Sequence, residues 1–228
     1  MTRAGEPTAI EPRPPAAAAI FGDGTALADR FVGHLASSGV EWGLLGPREL
    51  PRLWSRHVLN CAVVSELLPP GASVVDVGSG AGLPGLALAL ARPDLTVSLL
   101  EPLERRVSWL RMVVDDLGVP VRVHRARAEE IRGRVSASVV TARAVAPLAR
   151  LAGWALPLLE PDGRLLAIKG RSAADELEEA RTALSRLGAV DWDIVRCGAG
   201  VLDSPTTVVR VRVGASRPAG ANRRRRGR

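Results

Sequence analysis

Tyrosine is absent from this chain of 228 residues, phenylalanine occurs twice and tryptophan five times. So few rings do not furnish a deep stacking cage, and Trp54 and Trp109 are expected in the core. Cysteine occurs only as Cys61 and Cys197. Their separation fits neither a metal site nor a disulfide framework, which leaves two buried apolar thiols in a reducing compartment. No uninterrupted apolar run reaches the roughly 18 residues that a spanning helix needs. Glu6, Glu11, Arg13 and several prolines break up the start of the chain, so no secretory leader is visible and a cytoplasmic location is expected. Lysine is nearly missing too: Lys169 is alone, and every other strongly basic side chain is arginine.

What is present suits one domain with a substantial core, since 46% of residues are hydrophobic and 24% charged. The formal charge is +7, but Arg223, Arg224, Arg225, Arg226 and Arg228 carry most of it. Such a tail is either a solvated terminus or a salt-sensitive contact to a polyanion such as RNA.

Residues 1–20 are rich in Pro and Ala and are expected as a disordered leader. Residues 21–70 are expected to form a helical extension, with helices over 24–38 and 56–68. Residues 71–214 alternate strand and helix patterns, and 215–228 form the Arg-rich tail. Within the central region strands are expected at 74–77, 95–100, 121–123, 139–141, 163–169, 191–196 and 207–213. Helices are expected at 83–91, 103–117, 147–159 and 172–187, the last capped by Ser172. The alternation predicts an α/β fold with a doubly wound, mainly parallel sheet, and the last two strands predict an antiparallel edge.

The strongest local signal is the run Val74-Val-Asp76-Val-Gly78-Ser-Gly80-Ala-Gly82-Leu83-Pro84-Gly85. A buried strand enters a glycine loop and then a helix, so backbone N–H groups approach a ligand at the helix start. Glu101 follows the second strand, where a carboxylate accepts hydrogen bonds from both ribose hydroxyls of an adenosine. Two cofactors fit. Gly80-x-Gly82-x-x-Gly85 formally matches a dinucleotide fingerprint. Asp76 favours S-adenosylmethionine, because an acid there suits a cationic amino group, directly or through water, and not a pyrophosphate. Pro84 likewise removes an N–H that a phosphate would use.

With this loop, several ordered segments resemble one family. They are Arg56-His57, Leu100-Glu101-Pro102 with Arg105-Arg106, Arg127-Ala128-Glu129-Glu130, Ala142-Arg143-Ala144 and Leu166-Ala-Ile-Lys169-Gly170. The chain resembles, over residues 22–213, the bacterial small-subunit ribosomal RNA guanine-N7 methyltransferases, the glucose-inhibited division protein B family. The resemblance implies a class I, Rossmann-like methyltransferase fold using S-adenosylmethionine. It implies methyl transfer to N7 of one guanine in 16S ribosomal RNA, free or within the small ribosomal subunit, by a monomer that binds no membrane and no metal. It places cofactor contacts at Gly78, Leu83, Ala128, Glu129 and Arg143, to which the loop chemistry adds Asp76, Gly80, Gly82 and Glu101. The family commonly carries an Asp-Ser pair shortly after Arg-His. Asn60-Cys61 stand in that region here, so no role is carried over for a carboxylate at position 60.

Arg143 follows an apolar strand and faces the crevice where ligands sit in open α/β sheets. It and Lys169 are the candidate catalytic residues, Lys169 as a compact ammonium for an RNA phosphate or the target guanine. Arg56, His57, Lys169 and Arg223 to Arg226 are the candidate RNA contacts. Guanine N7 carries a lone pair and no proton, so positioning suffices and no general base is required. Accordingly the sequence offers no Ser/His/Asp or Cys/His arrangement. It also lacks the Asn/Asp-Pro-Pro-aromatic motif that holds an exocyclic amine. Two other classes fit the residues less well. An NAD-dependent oxidoreductase is disfavoured by Asp76, Pro84 and the absence of tyrosine. A non-enzymatic RNA-binding module has no use for the glycine loop and Glu101.

Overall fold

The computed structural model describes residues 9–215. The N-terminal part comprises α1 (Ala16–Phe21), α2 (Thr25–Ala36) and α3 (Ser38–Glu41), then a turn at Pro47–Arg52. A helical stretch follows, wide-turned at Leu53–Leu59, α-helical at Asn60–Ala62 (α4) and tight at Val63–Leu67. The central domain contains β1 (Ser73–Val77), α5 (Gly85–Ala91), β2 (Thr96–Leu100), α6 (Glu104–Leu117), β3 (Arg122–His124), β4 (Ala137–Arg143), α7 (Leu148–Ala155), β5 (Leu159–Lys169), α8 (Ala173–Arg186), β6 (Ala189–Cys197) and β7 (Thr206–Val213).

The seven strands lie in the order β3-β2-β1-β4-β5-β7-β6. The first five are parallel, and β7 pairs antiparallel with both β5 and β6. Side chains alternate across the sheet with period two. Val74, Val97, Leu99, Val139, Leu166 and Ile168 pack with α1, α2, α5 and α6. Val75, Val77, Val140, Leu165 and Ala167 pack with α7 and α8 on the opposite face. The doubly wound α/β expectation is met, with the antiparallel pair at the edge.

Some local expectations fail for identifiable reasons. The leader does not extend to residue 20. Ala17 is fully buried, Glu11 N–H donates to Leu50 O at 2.9 Å, and the Glu11 carboxylate accepts from Ser55 N–H at 2.9 Å. These contacts are long-range, so low local periodicity hid them; residues 1–8 lie outside the described residues. The second helix begins at Leu53 and not at Arg56. Ser172 does not cap α8 through its side chain; its hydroxyl donates to Glu176 instead. β5 begins at Leu159 and not at Gly163, because Pro161-Asp162-Gly163, which the sequence suggests as a break, is taken into the strand as an irregularity where pairing with β4 jumps from Leu159 to Arg164.

The N-terminal helices are anchored to α6. Trp109 is fully buried, and its indole N–H donates to Ser38 Oγ at 3.0 Å. From α2, Arg30 and His34 both reach the Asp116 carboxylate at 2.8 Å. Trp54 is buried, and so are Cys61 and Cys197, which remain free thiols. Trp109→Ala is expected to lower unfolding free energy by about 3–5 kcal/mol in denaturant titrations. Met112→Ala on the exposed side of the same helix is expected to change it by less than about 0.5 kcal/mol. Similar losses from both variants would contradict this account of the anchor.

Candidate active site

The sheet order reverses between β1 and β4, whose neighbours run outward in opposite directions. Open α/β sheets bind ligands at the carboxyl ends of strands flanking such a point. A crevice of about 490 Å³ lies there, lined by the loop after β1, Glu101 after β2, Ala128-Glu129 after β3 and Arg143 at the end of β4. Its size falls in the range of small-molecule sites, roughly 300–1,000 Å³.

The loop is held from behind. Gly78, Gly80 and Gly82 have φ of +71°, +54° and +80°, a region that side-chain-bearing residues avoid. Gly78 and Ser79 N–H groups both donate to Leu100 O, at 2.8 and 3.1 Å. Glu101 is almost fully buried. Its Oε2 accepts from Gly80 N–H and its Oε1 from Leu103 N–H, each at 3.0 Å. A carboxylate oxygen has two acceptor sites, so both oxygens retain capacity for a ribose diol.

Asp76 is placed differently from the sequence expectation. It has no exposure and is not part of the crevice wall. Alternation along β1 turns it to the same face as Val74, underneath α5. There its Oδ2 accepts from Gly85 N–H at 3.0 Å, while Oδ1 is buried without a partner. Gly85 is needed for this approach, because a Cβ there would lie 2.3 Å from Leu99 Cδ2 and 2.8 Å from Asp76 Oδ2. Burial pushes the Asp76 carboxyl up to about 7, with the Gly85 N–H acting in the opposite direction. Asp76 therefore shapes the loop from beneath, and its carboxyl is not exposed in the crevice. Gly82 is likewise absent from the wall and serves the turn; a Cβ there would meet Leu86 at 2.5 Å.

A second and wider crevice, about 1450 Å³, adjoins the first and shares Arg143, Ala144 and Val145 with it. Arg56, Asn60 and Lys169 line it, together with the acids Glu11, Glu176, Glu179 and Asp203. Lys169 is not the free ammonium expected from the sequence. Its side chain is mostly buried, and Nζ donates to Glu176 Oε2 at 2.6 Å and to Ala146 O at 2.7 Å. The same Glu176 oxygen accepts from Leu148 N–H at 3.0 Å. The lone lysine thus ties the segment after β4 to α8. His57 is also engaged, lying 2.7 Å from Glu49 and 3.1 Å from Arg143, while Arg56 is exposed. Arg223 to Arg226 lie outside the described residues.

Two parts of the wall escaped the sequence. Leu44 and Leu45 contribute from the N-terminal extension, and Trp154 from α7, with Arg150 stacked 4.8 Å from its ring. The one available signal was the single aromatic residue in that helix.

The family model described as rRNA small subunit methyltransferase G matches residues 25–204. The chain belongs to the rRNA small subunit methyltransferase G family. It is 59% identical over 203 residues to the protein of that name from Renibacterium salmoninarum, covering 88% of this chain and 94% of the relative. It is 56% identical over 217 residues to the one from Mycobacterium marinum, covering 94% of each. Among solved structures, a methyltransferase from Pyrococcus furiosus superposes with a TM-score of 0.53 at 14% identity, over 67% of this chain and 80% of that one. A SAM-dependent O-methyltransferase from Thermotoga maritima gives 0.53 at 14% identity, over 70% and 66%. At such identities these structures speak for the fold alone. Members of this methyltransferase family use S-adenosylmethionine, and the crevice fits that cofactor. The open space beside Gly80, the buried Glu101 carboxylate with spare lone pairs and the crevice volume all accommodate it.

The raised Asp76 carboxyl fixes the sign of a pH effect. Its folded value lies above the ordinary 3.8, so ionising it costs stability as pH rises from about 4 to 7, and the full cost applies above that. Asp76→Asn retains an acceptor for Gly85 N–H without a charge. Its melting midpoint is expected to exceed wild type at pH above 7, with the gap closing as pH falls toward 4. A gap that does not change with pH would show that the Asp76 charge is not what burial penalises.

Proposed function

We propose that the protein transfers a methyl group from S-adenosylmethionine to N7 of one guanine in 16S ribosomal RNA, acting as a cytoplasmic monomer. The observation that carries this reading is the meeting of two crevices at Arg143. One has the glycine loop and Glu101 of an adenosine site, and the other is wide enough to receive a nucleotide extruded from RNA. The relatives' names supply the ribosomal RNA of the small subunit as the substrate. No helix among the described residues is long and apolar enough to cross a membrane.

When bound, the cofactor supplies a sulfonium methyl for in-line displacement. The protein's own contribution is placement. Glu101 would accept from the ribose hydroxyls, the Ala128-Glu129 segment would border the adenine and the backbone at Gly78 and Gly80 would hold the remaining part. Arg143 lines both crevices, where its guanidinium would donate to acceptor atoms of cofactor or base. Guanine N7 suits this site because it needs no base. Lys169 is committed as a donor to Glu176 and Ala146, and the His57 lone pair faces Arg143. Neither group is free to accept a proton from a substrate, so the rate rests on alignment.

Incubation with labelled S-adenosylmethionine and either 16S ribosomal RNA or small subunits is expected to label a single guanine, cleavable by chemistry specific for N7-methylguanine. Glu101→Ala is expected to weaken S-adenosylhomocysteine binding about ten-fold or more, from loss of ribose contacts and of the Gly80 anchor. Cofactor binding without transfer to either ribosomal substrate would refute the proposed substrate. Label at an exocyclic amine would refute the N7 assignment.

A further inference from the structure

Arg143 is held by a side-chain chain that begins in the N-terminal extension. Its Nη2 lies 3.1 Å from His57 Nδ1, and its Nη1 lies 3.5 Å from Arg56 O. His57 Nε2 lies 2.7 Å from Glu49 Oε2. Glu49 is in turn gripped by Arg52, whose Nη2 and Nε donate at 2.6 and 3.0 Å. A guanidinium has donors only, so His57 Nδ1 must be the acceptor. The ring proton therefore resides on Nε2 and is donated to Glu49, and both ring nitrogens are spoken for.

We propose that His57 is a positioning residue. As a neutral imidazole oriented by Glu49, it holds Arg143 at the junction of the two crevices, so that the N-terminal extension sets the geometry of the cofactor site. This inference rests on the proposed cofactor but not on the proposed RNA.

The charged neighbours of the ring agree with this role. Glu49 and Arg52 come from the turn before the wide-turned helix, Arg56 from the same segment as His57, and Arg143 from β4. Burial holds the His57 imidazole below the ordinary 6.5; Glu49 opposes this, and Arg143 and Arg56 reinforce it. Glu49, lowered to about 2 chiefly by Arg52 and then by His57, remains ionised throughout the useful pH range. Protonation of His57 would put an N–H at Nδ1 facing the guanidinium, and the bond to Arg143 would be lost. Arg143 would then leave its place in the cofactor wall.

The two amide analogues of histidine separate the ring's two contacts. His57→Asn keeps an acceptor near the Nδ1 position and does not titrate. His57→Gln extends toward Glu49 and gives up the acceptor for Arg143. S-adenosylhomocysteine binding to the full chain, by calorimetry between about pH 5 and pH 8, is the readout. At neutral pH the Asn variant is expected to bind within about three-fold of wild type and the Gln variant at least about ten-fold more weakly. Toward acid, wild type is expected to lose affinity beyond whatever loss the Asn variant shows; contributions from Asp76 are common to both and cancel. Glu49→Gln removes the charge that raises the His57 value, so the acid loss of wild type is expected to move to lower pH. Equal weakening by Asn and Gln, or unaltered binding by both, would overturn the proposal. So would an identical acid loss in wild type and the Asn variant. Because binding is read without RNA, these results are separate from any failure to methylate ribosomal RNA.

Discussion

Two carboxylates, each accepting a backbone N–H from the loop after β1, determine what the rest of this structure can do. Asp76 takes Gly85 N–H and Glu101 takes Gly80 N–H, so a loop of positive-φ glycines is fixed at both ends. A loop of that kind is costly to order, because glycine loses more backbone freedom than any other residue on folding. Hydrogen bonds from these N–H groups to the two carboxyl groups offset part of that cost. The preformed crevice follows from this fixation, since small-molecule sites gain affinity when the binding groups need no reordering. The same clamp has a cost, as Asp76 is buried with one oxygen unpartnered.

Arg143 depends on a different set of contacts. It leaves β4 beside the loop and is steadied by His57 and the Arg56 carbonyl, both from a helical stretch outside the central sheet. Lys169, Glu176 and Ala146 brace the segment that follows it. The junction of the two crevices is therefore assembled from the extension, from β4 and from the end of β5. None of these groups is disposed to move a proton from a substrate, which is consistent with a transfer governed by alignment.

Much of the fold was legible because strand and helix periods are local properties. The β1 run, the glycine loop, Glu101 and the alternation up to α8 all declared themselves in short windows. The antiparallel edge pair and the burial of Trp109 also followed from pattern and size, whereas the order of the strands came only with the structure. The failures share one physical origin, namely dependence on partners distant in sequence. Residues 16–20 looked like part of a leader because their partners lie in other segments. Lys169 stood out as the single lysine, yet its partner Glu176 decided that it faces inward. Asp76 was found by its motif, but its job depends on which face of β1 it occupies, and α5 covers that face. His57 was visible beside Arg56, whereas Glu49 acquired meaning only through the turn that brings it to the ring.

Amide hydrogen exchange of the protein without cofactor addresses the carboxylate clamp most directly, because it reads the two N–H groups concerned. Gly80 and Gly85 amides are predicted to exchange as slowly as those of the central strands, opening only with large-scale unfolding. Exchange of both at rates typical of exposed loops, with β1 and β2 still protected, would contradict a preformed cradle and mean that the loop becomes ordered only when the cofactor binds.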